Sequence, residues 1–196
     1  MIAEGKAKKI AATALRVLER EGPDAVTMRR VARACGVTAM AIYHHFPSRK
    51  AVLDAITSQE FEKQAALMAA LPATGSIENR FEIVLDRSLD FALERPQVYD
   101  YVFSQRRAGA QRFPKDFVEG NSPTFNALAN LVAEAMRTGF FRKGDVWETA
   151  LTIAAQMQGM ITLYRGGRFG LTEKEFRKLC KRTAKRQFDG LKKQDR

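Results

Sequence analysis

Four cations stand where helix electrostatics disfavours them. Arg29 and Arg30 follow Thr27 and Met28, and Arg49 and Lys50 follow Ser48. Thr and Ser open helices by accepting a hydrogen bond from a backbone N–H two or three positions on. The first helical turn carries partial positive charge and favours Asp or Glu, so both of these turns have the wrong sign and need an anion to complete them. Phosphate oxygens meet that need, taking the backbone N–H groups and the cationic side chains together. A solvated charge cluster is the plain alternative for either turn alone; two flanking one short stretch point to a nucleic-acid backbone.

The two turns fall within the stretch from Thr27 to Leu53, TMRRVARACGVTAMAIYHHFPSRKAVL. Its spacing predicts two short helices that meet at Gly36. Val31, Ala32 and Cys35 share one face of the first, and Val37 and Ile42 are expected to return apolar contacts from the second. Gly36 supplies the permissive backbone of a sharp turn. The pattern is that of a helix-turn-helix.

The same stretch resembles the N-terminal domain of the tetracycline-repressor (TetR) family of bacterial transcription regulators. The family pattern Ile-Ala-x-x-Ala-Gly-Val, then Tyr-x-x-Phe, then Lys-x-x-Leu recurs here with substitutions as Val31-Ala32-Arg33-Ala34-Cys35-Gly36-Val37, Tyr43-His44-His45-Phe46 and Arg49-Lys50-Ala51-Val52-Leu53. The resemblance implies that Tyr43 contacts a phosphate and that Arg49 is the basic residue at the next helix start. His44 and His45 lie between those two and are expected to donate to phosphate or a base edge. Where the family has a polar residue, a glycine and a hydroxyl residue, this chain has Ala39, Met40 and Ala41 after Thr38. These side chains cannot hydrogen-bond a base, so readout is expected from packing on thymine methyl groups, from Arg29 on a guanine, and from DNA shape. The expected DNA-contacting set is Thr27, Arg29, Arg30, Thr38, Ala39, Met40, Ala41, Tyr43, His44, His45, Arg49 and Lys50.

Composition sets the frame around this stretch. The chain has 196 residues, 45% of them apolar, enough for a packed core. Its net charge of +11 is unevenly placed. Residues 1–50 hold 10 Lys/Arg against 4 Asp/Glu, residues 51–164 hold 11 against 14, and residues 165–196 hold 12 against 4. The basic first segment suits a DNA reader, whereas the basic last segment also reads as a solvated face. Cys35 and Cys180 lack CxxC or nearby His spacing, so no disulfide, metal or cofactor is expected. The start has no signal-peptide core, and the longest apolar run, Ala65 to Leu71, is too short to span a bilayer. A soluble cytoplasmic protein is expected.

Taken in order, the chain reads as all-α with about nine helices. Ala3–Glu21 carries Ile10, Ala14, Val17 and Leu18 on one face and stops at Gly22-Pro23. Ser48 opens a helix to about Leu71, stopped by Pro72-Ala73-Thr74-Gly75. Ser76–Arg95 has a strong apolar stripe, and Pro96–Arg107 reads as another helix. Gly109–Gly120 reads as irregular. Ser122-Pro123 reads as an N-cap with proline in the first turn, opening a helix to Gly139. Asp145 and Thr172 open the last two helices with capping-box spacing. Residues 1–53 are assigned to DNA binding and residues 54–196 to a helical ligand-binding and dimerisation domain, joined by a linking helix over about 48–71.

One helix-turn-helix offers few base contacts, so a homodimer on an inverted-repeat double-stranded operator is expected. The resemblance places dimerisation on the last two helices, about 145–164 and 172–190. Within them Ala150, Ala154 and Gln158, beside Leu151, Ile161 and Thr162, are small enough for close helix approach. The resemblance also implies a small-molecule inducer in the C-terminal domain. Its expected contacts are Phe61, Met68, Tyr99, Phe103, Met136, Trp147, Met157 and Met160, with Gln156 as an orienting polar group. Together they favour an apolar or aromatic effector, although apolar residues at helical spacing also pack as ordinary core.

The reading is therefore a ligand-responsive, sequence-specific regulator, a repressor released from its operator by the effector. An architectural DNA-binding protein without an inducer would leave the apolar 54–164 region without a purpose. An enzyme would need a general base, and beyond His44 and His45 there is no histidine, no nucleophile elbow, no HExxH and no glycine-rich phosphate loop. A thiol sensor at Cys35 competes with a structural role for that residue in the turn.

Overall fold

The computed structural model describes residues 2–72, 75–104 and 110–192. Among these residues there are ten α-helices and no strand, so the all-α expectation holds. Helix α1 (Ile2–Glu21) buries Ile10, Ala14, Val17 and Leu18 and ends at Gly22, whose φ of 83° suits a residue without a Cβ. A 3₁₀ turn, Pro23–Ala25, leads to α2 (Met28–Cys35), capped by Thr27 through a hydrogen bond from the Arg30 N–H at 3.1 Å. Gly36 closes α2 at φ 68° and ψ 32°. Thr38 then caps α3 (Ala39–Tyr43) by accepting from the Ala41 N–H at 3.2 Å. Ser48 opens α4 (Arg49–Ala69) in the same way, accepting from the Ala51 N–H at 3.1 Å.

Seven elements follow. They are α5 (Ile77–Glu94), α6 (Pro96–Tyr99), a π-helical stretch (Asp100–Ser104), α7 (Lys115–Val118), α8 (Pro123–Arg137), α9 (Val146–Arg165) and α10 (Glu173–Leu191). Three local expectations change. The stretch read as irregular contains the four-residue helix α7. The helix read from Pro96 divides into α6 and the π-helical stretch, and Gln105, Arg106 and Arg107 lie outside the described residues, as do Ala73, Thr74 and Gly109. Ser122 is buried and makes no side-chain cap, so proline in the first turn, not the hydroxyl, opens α8. Asp145 caps α9 through the Glu148 N–H at 2.8 Å, and Thr172 with Glu175 forms a full capping box on α10.

The chain divides into two compact units, Met1–Lys63 with Phe91–Ala108 and Gln64–Asp90 with Gly109–Arg196. In the first, α1, α2, α3 and the start of α4 bury Leu18, Val26, Val31, Ile42, Val52 and Ile56 around one core. An arginine fastens the returning segment to this unit. Arg95 donates to Glu60 at 2.6 and 3.2 Å and to Glu19 of α1 at 2.6 Å, and lies over the Phe91 ring at 5.4 Å. In the second unit the rings of Phe81, Phe141 and Phe188 meet at 4.8 to 5.8 Å beside the buried face of α8.

Glu60 is only 3% exposed, so its charge is tolerable only while the guanidinium is there. Replacing Arg95 by Ala should therefore cost about 3 to 5 kcal/mol, the penalty of stranding one member of a buried pair, read as lost unfolding free energy in a urea titration. A loss under about 1 kcal/mol, the value of an exposed pair, would show that the clamp does not hold the segment.

Candidate nucleic-acid interface

The core of the first unit decides which side chains of the helix-turn-helix face water. Val31 and Ala32 of α2, Ile42 of α3, and Phe46 turn inward. The remaining directions are outward, leaving Thr27, Arg29, Thr38, Met40, Tyr43 and His44 exposed and Arg30, Ala39, Ala41 and His45 half-buried. Met40 is 66% exposed and Tyr43 49% on α3, and Val37 in the turn before it 45%, large apolar side chains in water that folding alone does not explain. Val37 was expected to pack inward. Instead its N–H closes on the Ala32 carbonyl at 3.0 Å, which ends the turn and leaves the side chain in solvent.

The first-turn cations are satisfied differently from the sequence expectation. Arg30 reaches Glu21 at the end of α1 with both arms of its fork, at 3.1 and 2.5 Å. The hydrogen bond from Arg30 holds the Glu21 carboxyl below its ordinary range, and Glu21 in turn raises the guanidinium. Arg49 turns back along the chain and donates to the carbonyl oxygens of Val26 and Pro23 at 2.8 and 2.7 Å, with Asp24 at 3.7 Å. Lys50 pairs with Asp54 one turn on at 2.6 Å. Three of the four anion-seeking cations thus find partners within the chain.

Arg29 is the exception. It is exposed, and among the described residues no carboxylate lies within 4 Å of it. Arg33, one turn further along the same face of α2, is exposed and equally unpaired among the described residues. Sequence reasoning passed over Arg33; its i,i+4 spacing from Arg29 was the available signal. The surface therefore combines exposed apolar side chains of the turn and α3 with two uncompensated guanidinium groups on α2.

The nine expected effector contacts are divided between the two units. Phe61, Tyr99 and Phe103 join Phe91 in an edge-packed aromatic cluster of the first unit, with centroids 5.3 to 6.1 Å apart. In the second unit Met68, Met136 and Trp147 pack at the margin of the core, Trp147 stacking on Phe125 at 6.1 Å. Gln156, Met157 and Met160 do come together, lining an uncharged groove with Phe81, Leu85, Leu128, Cys180, Thr183 and Gln187. Its cavity volume of about 40 Å³ admits little more than water.

The small residues expected at a helix contact separate as well. Ala150 and Ile161 are buried in the chain's own core, and Leu151 and Ala154 pack against it. The outward side of α9 instead carries Thr152, Ala155, Gly159, Thr162 and Leu163. Cys35 is half-buried, and burial pushes the Cys180 thiol up to about 11, which keeps it unreactive. No group of metal-binding side chains and no helix long and apolar enough to cross a membrane occurs among the described residues.

Residues 10–56 match the family model described as bacterial regulatory proteins, tetR family. Residues 82–186, more than half of the chain, match the model described as tetracyclin repressor-like, C-terminal domain. No curated protein matches. A protein with unknown function from Rhodococcus sp. RHA1 superposes with a TM-score of 0.79 at 26% identity, over 95% of each chain. The fatty acid degradation regulator FadR from Bacillus halodurans superposes at 0.74 with 16% identity, over 94% of this chain and 99% of its own. A TetR-family transcriptional regulator from Pectobacterium atrosepticum also superposes at 0.74, with 18% identity over 99% and 97%. The last two likenesses are of fold alone.

The Arg49 geometry gives a direct expectation. Arg49→Ala removes this donor from the Val26 carbonyl and leaves the Pro23 carbonyl with the Val26 N–H alone, and should lower unfolding free energy by about 1 to 3 kcal/mol. Arg49→Lys has one ammonium where two arms of a fork are needed and should recover only part of that loss. Full recovery by Lys in a denaturant titration would mean that charge, not the fork, matters at this position.

Proposed function

The chain belongs to the tetR family of bacterial regulatory proteins, and from that premise we propose that it is a cytoplasmic, ligand-responsive repressor of sequence-specific DNA binding mode, released from an inverted-repeat operator by a small apolar effector. Membership places it among transcription regulators, not enzymes. The observation that carries the reading is the exposure of Thr38, Met40 and Tyr43 on the turn and α3, together with Arg29 and Arg33 on α2, which are exposed and unpaired among the described residues. Exposed apolar side chains together with unpaired guanidinium groups suit a major groove, where thymine methyl groups and guanine edges lie between phosphates.

Within this reading residues 1–53 contact DNA and residues 54–196 hold the effector and the dimer contact. Thr27, Thr38, Tyr43, His44 and His45 donate to phosphates or base edges. Ala39, Met40 and Ala41 pack on thymine methyl groups. Arg29 reads a guanine, while Arg30, Arg49 and Lys50 brace the motif and add positive potential at its border. Two copies associate through α9 and α10: of the 20 residues of α9 only Ala150 and Ile161 are buried, although the helix is the most apolar of those of eight residues or more. The two-fold axis of such a dimer imposes an inverted repeat on the operator.

The effector is placed against Gln156, Met157 and Met160. The groove they line carries no charged side chain, which favours an uncharged ligand with an apolar body, and the methionines can rearrange to admit it. Release requires the effector to prefer a state in which α4 holds the recognition helices away from one-turn spacing. Reciprocity then makes operator DNA weaken effector binding by the same factor, a difference that titration calorimetry reads.

Selection from a random DNA pool tests the reading. The winners should be inverted repeats, and Arg29→Ala should relax preference at one guanine in each half-site by about 1 to 3 kcal/mol. Winners without two-fold symmetry, or an unchanged preference in Arg29→Ala, would overturn it.

A further inference from the structure

Helix α10 carries cations in two adjacent rows, each advancing four residues at a time so that its members share one side of the helix. The inner row is Arg177, Lys181 and Lys185. It meets the acids of α5 in antiparallel order: Arg177 donates to Asp90 at 2.7 Å, Lys181 to Asp86 at 2.8 Å, and Lys185 lies 3.5 Å from Glu78. The outer row is Lys174, Lys178, Arg182 and Arg186, exposed throughout. Among the described residues no carboxylate lies within 4 Å of any of these four. Glu175, three residues before Lys178, turns its carboxylate to the Thr172 N–H and hydroxyl at 2.8 and 2.7 Å instead.

The inner row accounts for itself, since it ties α10 to α5. The outer row has no such account. Like charges at i,i+4 oppose the helix they ride on, and they add to a segment in which 12 Lys/Arg face only 4 Asp/Glu over residues 165–196. Of the apolar side chains of α10, Phe176, Cys180 and Phe188 are buried, Ala184 and Leu191 pack against the core, and Leu179 is half-buried. The outer side therefore offers charge without a hydrophobic anchor, which suits neither a protein hot spot nor insertion into a bilayer. A second copy docking row to row across a two-fold axis would set cation against cation.

What remains is a hydrophilic polyanion of high linear charge. The row extends over about 18 Å at 1.5 Å per residue, a length that faces about five phosphates of one strand at 3.4 Å spacing. We propose that the outer row of α10 is a second, sequence-independent DNA-binding surface, which grips the phosphate backbone of a duplex other than the one under the α2–α3 face. The consequence is a protein able to hold two duplexes at once, or to pass between them without first dissociating.

The test uses the full chain and two labelled probes, a scrambled-sequence duplex and vesicles of anionic phosphatidylglycerol. A variant carrying Lys174→Gln, Lys178→Gln, Arg182→Gln and Arg186→Gln is compared with a charge-matched control carrying Lys115→Gln, Arg137→Gln, Arg142→Gln and Lys143→Gln. For the unaltered chain, scrambled-duplex affinity should fall with salt, and the α10 variant should lose about 3 to 4 from the slope of log affinity against log salt while the control loses less. With the chain seated on an immobilised selected operator, capture of the second duplex should drop at least tenfold in the α10 variant alone. An unchanged slope and capture, equal losses in the control, or vesicle binding without duplex capture would each overturn the proposal. Because the scrambled-duplex titration needs no operator, a failed operator selection with a row-dependent slope would sink the repressor reading and leave this one standing.

Discussion

The guanidinium of Arg49, held between the carbonyl oxygens of Pro23 and Val26 at 2.7 and 2.8 Å, ties the first residue of α4 to the turn from which α2 springs. Those carbonyls flank a 3₁₀ turn in which Pro23 already accepts from the Val26 N–H at 3.1 Å, and a planar fork is the side chain that reaches two such acceptors at once. With α1, the 3₁₀ turn and α4 fixed to one another, the short helix α3 has one direction in which to bury Ile42. Its opposite side, Met40 and Tyr43, is then left in water. The five residues of α3 are too few to form a stable helix alone. Its geometry is borrowed from these neighbours, and so is the position of anything it reads.

Two kinds of charge placement carry the account. Arg95, Arg177, Lys181 and Lys185 each meet a carboxylate on another helix, and Arg30 and Lys50 meet one nearby. Cations so paired fasten helices and have little left to offer a partner. Arg29 with Arg33 on α2, and the outer row of α10, meet no carboxylate within 4 Å among the described residues. In both, unpaired cations repeat at four-residue spacing on a face that water reaches, which is the arrangement a phosphate backbone completes.

Much of the fold was legible because it is written in local chemistry. Thr27, Ser48, Asp145 and Thr172 cap the helices that their hydroxyl or carboxylate oxygens announced, and Gly36 takes the left-handed conformation that the turn demanded. What the sequence left hidden depends on distant partners. Nothing near Arg49 reveals that its acceptors lie 23 and 26 residues earlier, so its charge looked unspent. Ser122 has the residue type of a cap but is buried, and a proline beside it does the work. The effector candidates scattered because helical periodicity identifies an apolar face without saying what covers it; Phe61 and Met157 look alike in the sequence and lie in different units. Val37 was misjudged for the same reason, being apolar in a place where solvent is its neighbour.

The central claim is that the exposed apolar side of α3 reads DNA through methyl contacts. The most direct measurement is the affinity for the selected site with each thymine replaced in turn by uracil, which removes one methyl group and nothing else. The account predicts losses at symmetry-related thymines in the two half-sites, each abolished in the Met40→Ala chain or its neighbouring alanine-to-glycine variants. Uniform affinity across every uracil substitution would contradict it.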